Sequence, residues 1–184
     1  MARVIITGGP GAGKSTLRRE LASQGYGTVE ESARAIISGR LAAGLAPRPA
    51  PGDFARGILR RDIEKYERSA QARGWVFFDR GVIEALAMVN ELEPMPAAEL
   101  SAMLASYCVQ PLVFVLPPWP EIYSTDAERD QDFDHSAAVH ARLVRWYLGC
   151  GYELHEVPRL SVVERARYVL QALSDSGPRG LGRG

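Results

Sequence analysis

Short apolar runs alternate with longer segments of helical spacing along most of the chain. The apolar runs predict five buried strands, at residues 4–7, 28–29, 75–78, 112–116 and 152–157. Elsewhere the spacing predicts helices at residues 15–23, 33–43, 53–72, 82–91, 97–107, 136–148 and 162–173. This alternation predicts an α/β fold in which a five-stranded, mostly parallel sheet lies between two layers of helices, a three-layer α/β/α arrangement. Ligands of such sheets bind beyond the carboxyl ends of the strands.

One segment between two predicted helices is poorly suited to regular structure. Residues 44–52 contain three prolines, and each removes a backbone donor, so we expect a loop that ends at Asp53 as the N-cap of the next helix. The chain has no internal repeat, and we expect one domain over residues 1–173. Residues 174–184 are rich in Gly and polar residues and are expected to form a flexible tail.

Composition and charge argue against several classes of function. The 184 residues include 22 Lys and Arg and 22 Asp and Glu, and this zero net charge argues against a broad nucleic-acid surface. No apolar run is long enough to span a membrane, and the first strand leaves no room for a signal peptide, so we expect a cytoplasmic protein. The two cysteines, Cys108 and Cys150, are too few for a disulfide framework or a metal site, and we expect both thiols to be buried.

A phosphate-binding sequence directly follows the first predicted strand. Residues 8–15 match the P-loop pattern Gly-x-x-x-x-Gly-Lys-[Ser/Thr], with a strand before it and a helix after it. Glycines allow successive backbone N–H groups to point at phosphate oxygens, where the helix N-terminus adds a positive dipole. Lys14 would contact the β- and γ-phosphates, and Ser15 would bind Mg²⁺. The sequence therefore predicts a site for ATP and Mg²⁺ made of Gly8, Gly9, Pro10, Gly11, Ala12, Gly13, Lys14, Ser15 and Thr16.

An acidic and a basic residue end the third predicted strand. Asp79 follows four apolar residues, and two functional roles are open for it: it holds Mg²⁺, or it accepts a proton from a substrate hydroxyl. Capping of the next helix is the structural alternative. Arg80 is placed to clamp a phosphate or an acidic substrate group in a bidentate manner, with a surface ion pair as its alternative.

The sequence Phe-Phe-Asp-Arg-Gly at residues 77–81 resembles the Asp-Arg motif of P-loop nucleoside and nucleotide kinases. More broadly, residues 2–172 resemble a bacterial family of predicted AAA-type ATPases or kinases, which is related to the nicotinamide riboside kinase domain. Five segments carry this resemblance: the P-loop at 8–15, Glu-Ser-Ala-Arg at 31–34, Phe-Phe-Asp-Arg-Gly at 77–81, Pro-Pro-Trp-Pro-Glu-Ile-Tyr at 117–123 and Asp-Ala-Glu-Arg-Asp-Gln-Asp-Phe at 126–133.

The resemblance also implies roles for residues outside the P-loop. In related kinases an acidic residue after the second strand contacts or deprotonates the acceptor hydroxyl, and Glu31 or its neighbour Glu30 has that position. A helix N-terminal acid, favoured by the helix dipole, is the structural alternative for Glu31. The predicted acceptor-binding residues are Glu31, Arg34, Arg80 and Glu84, and the predicted catalytic residues are Lys14, Glu31, Asp79, Arg80 and Arg129.

Residues 121–134 lie where related kinases have a lid. Arg129 is the only arginine of this segment, and we expect it to stabilise charge on the transferred phosphoryl group. Many related kinases have two or more lid arginines, so either the lid is weaker here or Arg142 or Arg145 assists. The acidic neighbours of Arg129 either hold it by ion pairs or form a solvated loop. Two aromatic residues just before the lid, Trp119 and Tyr123, either pack under the adenine or fill a corner of the fold.

Together these features favour a small-molecule kinase. Such an enzyme would transfer the γ-phosphoryl group of ATP, with Mg²⁺, to a hydroxyl of a nucleoside-like or other small metabolite. The alternative is a regulatory switch that binds or hydrolyses ATP without a small-molecule acceptor. A switch GTPase is disfavoured because the chain lacks an Asn-Lys-x-Asp guanine motif, and a polynucleotide kinase is disfavoured by the neutral charge.

Overall fold

Five parallel strands form the sheet of the computed structural model, which describes residues 2–123 and 132–176. The strands are β1 (Ala2–Gly8), β2 (Gly27–Val29), β3 (Trp75–Asp79), β4 (Leu112–Leu116) and β5 (Glu153–Glu156), in the order β2-β3-β1-β4-β5. Every neighbouring pair is parallel. Because β1 lies between β3 and β4, the P-loop that follows it is at the middle of the carboxyl edge of the sheet.

Helices cover both faces of this sheet. In the described part of the chain they are α1 (Lys14–Ser23), α2 (Ser32–Ala42), α3 (Pro51–Arg68), α4 (Val82–Leu92), α5 (Ala97–Ser106), α6 (Phe133–Gly149) and α7 (Val162–Asp175). Short 3₁₀ turns at Ser69–Gln71 and Pro120–Ile122 follow α3 and β4.

The alternation of side chains along β1 divides the core into two clusters. Ile6 belongs to a buried cluster with Leu17 of α1 and Val169 of α7. Its neighbour Ile5 belongs to a second buried cluster with Ile83 of α4 and Tyr147 of α6. Successive strand residues point to opposite faces, so the two clusters lie on opposite sides of the sheet. The three-layer α/β/α fold predicted from the sequence is confirmed.

Helix α3 begins at Pro51, two residues before the position predicted for its N-cap, Asp53. Asp53 is not its N-cap: the helix starts at Pro51, and Ala50 is the capping residue. Proline suits the first position of a helix because its missing N–H would have no partner there, so the proline-rich segment ends inside the helix. At the other end the α-helix stops at Arg68 and continues as a 3₁₀ turn to Gln71.

Helix α6 also begins earlier than predicted, at Phe133. The carboxylate of Asp132 caps it, since Oδ1 accepts a hydrogen bond of 2.8 Å from the backbone N–H of His135. The last residues of the predicted lid are therefore helical, with Asp134 in the first turn of α6. Helix α7 extends to Asp175, so the tail predicted from residue 174 begins too early.

The expectation of two buried thiols is wrong at Cys108. This residue is exposed in the connection between α5 and β4, and connections between elements usually run over the surface. Cys150 is half-buried, and both thiols are free. Among the described residues, the structure contains no helix that combines the length and the apolar character needed to cross a membrane.

Candidate active site

The P-loop connects β1 to α1, where the sequence predicted it. Gly11 and Gly13 have φ values of 81° and 85°, in the left-handed region that favours glycine. A Cβ atom at Gly11 would lie 2.4 Å from a ring carbon of Tyr123, and one at Gly13 would lie 2.8 Å from Nη1 of Arg165. The loop therefore requires glycine both for its backbone conformation and for its close contact with two later segments of the chain.

Lys14 is buried at the start of α1 and points back at the loop. Its Nζ donates hydrogen bonds to the carbonyl oxygens of Gly8, at 3.1 Å, and Gly9, at 2.8 Å. Burial lowers the pKa of Lys14 to about 8, and the charge of Arg80 adds to this effect, while Asp79 opposes it. At neutral pH the ammonium group is still mostly protonated, so it supplies a positive charge inside the loop.

Asp79 and Ser15 form the second part of the site. Ser15 Oγ donates a hydrogen bond of 3.1 Å to Oδ2 of Asp79, and Asp79 Oδ1 is buried with no hydrogen-bond partner among the described residues. Burial raises the pKa of Asp79, and the nearby charge of Lys14 opposes that rise. Gly81, rather than Asp79, is the N-cap of α4, so the structural alternative for Asp79 does not hold.

The side-chain oxygens of Ser15 and Asp79 are suitable ligands for a magnesium ion. Mg²⁺ prefers hard oxygen ligands and usually takes one or two carboxylates from a protein, with phosphates and waters completing its shell. Asp79 Oδ1 is a carboxylate oxygen without a partner within the described ranges, and Ser15 lies beside it. The described part of the chain contains no group of three or more His, Cys, Asp or Glu residues that could hold a metal ion.

Arg80 links the P-loop to two carboxylates. Its Nη2 donates to the carbonyl oxygen of Gly8 at 2.9 Å, its Nε donates to Oε1 of Glu31 at 3.1 Å, and its Nη1 donates to Oε2 of Glu84. Burial lowers the pKa of Arg80, but the charges of Glu84, Glu31 and Asp79 outweigh burial and raise it. The φ of Arg80 is 67°, a conformation that costs a non-glycine residue about 1 kcal/mol or more and that concentrates at functional sites.

Glu84 is a buried carboxylate of α4. Besides its ion pair with Arg80, it accepts a hydrogen bond of 3.2 Å from the hydroxyl of Tyr147 on α6. Burial and the charge of Glu84 together raise the pKa of Tyr147 well above its ordinary value, so the phenol remains a donor. The ion pair with Glu84 thus fixes the position of the Arg80 side chain. Glu84 also lines the cavity described next.

A cavity of about 530 Å³ begins at the P-loop and extends between α2, α3, α4 and α6. Lys14, Ser15 and Thr16 line its P-loop end. The far end has an apolar wall formed by Ile37, Ile58, Met88, Leu143 and Trp146. A single cavity therefore contains both a phosphate-binding loop and a space large enough for a small organic molecule.

Polar side chains also line the cavity. All four predicted acceptor residues are among those that line it: Glu31, Arg34, Arg80 and Glu84. Glu30 is different, since its side chain is 73% exposed and pairs with Arg18 at 2.7 Å. Although Glu31 is the N-cap residue of α2, its side chain makes no capping hydrogen bond. Of the two neighbouring acids, Glu31 is therefore the one with access to a ligand.

Asp62 of α3 is a cavity residue that the sequence analysis missed. Its carboxylate accepts a hydrogen bond from the buried hydroxyl of Ser32, and Lys65 donates to that same hydroxyl at 2.8 Å. Burial raises the pKa of Asp62 to about 6, although the Ser32 hydrogen bond and the charge of Lys65 oppose this rise. The signal was present in the sequence, because Asp62 follows Phe54 and Ile58 at four-residue spacing and thus lies on the apolar face of its helix.

The predicted lid can be placed only in part. Arg129 and its neighbours Asp126, Glu128 and Asp130 lie outside the described residues. Both proposed helpers are exposed, and of the two Arg142 lines the cavity and pairs with Glu91 at 3.4 Å, whereas Arg145 is not among the described lining residues. Ser136 on α6, also missed by the sequence analysis, is buried and donates from its hydroxyl to the carbonyl oxygen of Pro10.

The two aromatic residues before the lid contact the protein around the P-loop. The Tyr123 ring packs edge-on against Phe133 at a centroid distance of 5.5 Å, close to Gly11. The guanidinium carbon of Arg165 lies 5.5 Å from the centre of the Trp119 ring. Neither aromatic residue is among the described residues that line the cavity, which favours the corner-filling role for both.

Comparison with known proteins places the chain in a family. The sequence model of the family described as "AAA domain" matches residues 3–165, which is most of the chain. The chain belongs to this AAA-domain family. The match confirms the resemblance inferred from the motifs. No curated protein sequence matches this AAA-domain protein.

Solved structures with the same fold are similar to this AAA-domain protein at low sequence identity. A deoxyadenosine kinase from M. mycoides with bound dATP is 14% identical, with a TM-score of 0.60 and coverage of 94% of this chain and 99% of that one. The NadR protein in complex with NR is 20% identical, with a TM-score of 0.69 and coverage of 99% and 53%. A shikimate kinase from Acinetobacter baumannii in complex with shikimate is 16% identical, with a TM-score of 0.58 and coverage of 96% and 95%.

Proposed function

We propose that this AAA-domain protein is a small-molecule kinase that transfers the γ-phosphoryl group of ATP, with Mg²⁺, to a hydroxyl of a nucleoside-like or other small metabolite. The observation that carries the proposal is the continuous cavity of about 530 Å³, which has the P-loop at one end and an apolar pocket at the other. The names of the similar structures, two small-molecule kinases and a protein in complex with NR, support the same class of reaction. A protein that only hydrolyses ATP has no need of the second pocket.

The P-loop end of the cavity would bind the nucleotide. The backbone N–H groups of the loop and the Lys14 ammonium would contact its phosphates, which replace the loop carbonyls as partners of Nζ. Ser15 and Asp79 would hold Mg²⁺, which when bound neutralises charge on the phosphate oxygens. This assignment uses Asp79 as a metal-holding residue, because it contacts Ser15 and is not among the described residues that line the cavity.

Glu31 would act on the acceptor. A new bond forms between the acceptor oxygen and the γ-phosphorus, the bond from that phosphorus to the oxygen of ADP breaks, and the hydroxyl proton passes to the Glu31 carboxylate. Arg80 supports this step from the side, because its guanidinium orients Glu31 and is itself held by Glu84. Because the reaction uses ATP, which is supplied in the cytoplasm, a cytoplasmic location is part of this proposal.

The acceptor dependence of ATP turnover tests this proposal. ADP release by the purified protein would be measured with Mg²⁺ in the presence of a panel of small metabolites that carry hydroxyl groups. A kinase is expected to release ADP only slowly by itself and in a 1:1 ratio with a phosphorylated product when one acceptor is added. Basal hydrolysis that no acceptor changes, but that a protein partner alters, would instead favour the regulatory switch.

A further inference from the structure

Arg165 on α7 is a buried arginine with no assigned role. Its side chain is in the first turns of the helix, and the residue as a whole is only 5% exposed. Two of its guanidinium nitrogens, Nε and Nη1, are buried and make no hydrogen bond with any residue that the structure describes. Buried arginines are normally paired with carboxylates or carbonyls, and within residues 2–123 and 132–176 these two nitrogens have no such partner, which leaves them available to a ligand.

The surroundings of Arg165 are those of the P-loop. Its Nη1 lies so close to the loop that a Cβ atom at Gly13 would be 2.8 Å away. Arg165 also lines the same cavity as Lys14 and Ser15. The other nearby group is the Trp119 ring, whose centre is 5.5 Å from the guanidinium carbon. A tryptophan face supports a cation but does not neutralise its charge.

A comparison with Arg80 shows what Arg165 lacks. Arg80 is also buried, but Glu31 and Glu84 both accept hydrogen bonds from it, and their charges raise its pKa. Burial lowers the pKa of Arg165, with no carboxylate among the described residues acting in the opposite direction. Because a guanidinium group remains protonated in proteins, Arg165 brings to the P-loop a positive charge that no carboxylate of the described residues pairs with. An anion that enters the cavity and pairs with Arg165 would remove the free-energy cost of burying this charge.

We propose that Arg165 binds the phosphate chain of the nucleotide, so that α7 contributes a second cation to the site beside Lys14. The inference rests on the proposed function, because it assumes that a nucleoside triphosphate binds at the P-loop. A phosphate group fits the guanidinium, since two parallel N–H groups can bind two of its oxygens, and the P-loop beside Arg165 is a phosphate-binding loop. The contact would also favour nucleotides with longer phosphate chains over nucleosides.

Calorimetric titration of two ligands tests this assignment. ATP and inorganic tripolyphosphate, each with Mg²⁺, would be titrated into the wild-type protein and into Arg165→Met, Arg165→Lys and Arg167→Met. Arg167 is an exposed arginine on the same helix and serves as the matched control. Tripolyphosphate has no base or ribose, so it reports on the phosphate contact alone.

We expect Arg165→Met to weaken the binding of both ligands by a similar factor of about 10 to 100, with Arg165→Lys in between and Arg167→Met unchanged. Circular dichroism would check that each variant is folded, and the lysine variant keeps the test decisive if Arg165→Met does not fold. If Arg165→Met binds both ligands with wild-type affinity, the inference about Arg165 is wrong, whereas the proposed function is unaffected. A loss for ATP without a loss for tripolyphosphate would also overturn it, because the contact would then be with the base or ribose. If the wild-type protein binds neither ligand, the proposed function itself fails.

Discussion

At the scale of single residues, Glu30 and Glu31 show how the surroundings separate two adjacent carboxylates. Glu31 lines the cavity and is oriented by Arg80, whereas Glu30 is exposed and pairs with Arg18. If Glu31 accepts the proton of the acceptor, Glu31→Gln should lower kcat by about 100-fold or more, because an amide cannot take up that proton. The amide oxygen can still accept the hydrogen bond from Arg80, so the dissociation constant for ATP should stay within about twofold of the wild-type value.

Glu30→Gln is the matched control for this prediction. It makes the same chemical change one residue earlier in the chain and should leave kcat unchanged. Steady-state kinetics with a saturating acceptor and calorimetry with ATP would separate the two effects. Equal values of kcat for Glu31→Gln and the wild-type enzyme would remove Glu31 from the proton transfer.

Asp62 is the residue for which the structure predicts a pH dependence of stability. Burial raises its pKa from the ordinary value of 3.8 to about 6, so the unfolded chain releases this proton at a lower pH than the folded protein does. The contribution of Asp62 to stability is therefore fully present below about pH 4 and is lost as the pH rises through about 6. At neutral pH the loss corresponds to about 3 kcal/mol.

Asp62→Asn should remove this dependence, and its amide oxygen can still accept the hydrogen bond from Ser32. The free energy of unfolding of the variant, relative to the wild type, should therefore increase by about 2 kcal/mol between pH 4, where the unfolded carboxyl is already partly ionised, and pH 8. Urea denaturation at a series of pH values measures this difference. Glu67→Gln, at an exposed position of the same helix, should show no such increase. A constant difference between Asp62→Asn and wild type across this range would contradict the prediction.

At the scale of elements, glycines in the P-loop and in helix α2 should respond in opposite ways to the same substitution. Gly11→Ala places a Cβ atom 2.4 Å from the Tyr123 ring at a φ of 81°, and it should lower the free energy of unfolding by about 1–3 kcal/mol. Gly39 lies inside α2, where a Cβ atom would meet no described residue outside the helix within 4 Å, and Gly39→Ala should raise that free energy by about 0.5–1 kcal/mol. Thermal or urea unfolding of both variants measures whether each substitution raises or lowers the free energy of unfolding. A stabilised Gly11→Ala would show that the P-loop does not need its left-handed backbone.

The elements themselves could be predicted well where the signal is local. All five strands and the P-loop follow from short contiguous patterns, and the structure places them at the predicted positions. Helix starts were less accurate, because they depend on single capping residues. At α3 the helix begins at Pro51 within the proline-rich segment, and at α6 it begins after Asp132, an acid that the sequence analysis had assigned to the lid.

Site residues that are far from the P-loop in the sequence were harder to predict. Periodicity indicates which face of a helix is buried, but not which element packs against that face. Asp62 and Arg165 both lie at apolar-face positions of their helices, which is a detectable signal. Asp62 bonds with Ser32, which is thirty positions away in the chain, and Arg165 lies beside the loop around Gly13. Only tertiary packing brings these groups together, and no local pattern encodes it.

At the scale of the whole molecule, the fold places the P-loop of the central strand next to a pocket formed by four helices. Asp79 and Arg80 reach the same edge from the neighbouring strand β3, where Asp79 contacts Ser15 and Arg80 contacts Glu31. Ser15 and Glu31 line one cavity, so the groups for phosphate and for acceptor meet there. This shared edge follows from the parallel sheet, in which all carboxyl ends lie on one side. The proposed activity therefore depends on transfer between two molecules bound in that cavity.

The fate of the γ-phosphorus of ATP tests the proposed transfer most directly. Wild-type protein and Lys14→Ala would be incubated with Mg²⁺, γ-labelled ATP and a metabolite mixture, and the labelled products would be separated and identified by mass spectrometry. We expect the wild-type protein to place the label on one small hydroxyl compound, and Lys14→Ala to reduce this transfer by at least about 100-fold through the loss of its contact with the phosphates. Label that appears only in inorganic phosphate, or transfer that is unchanged in Lys14→Ala, would contradict the proposed kinase activity.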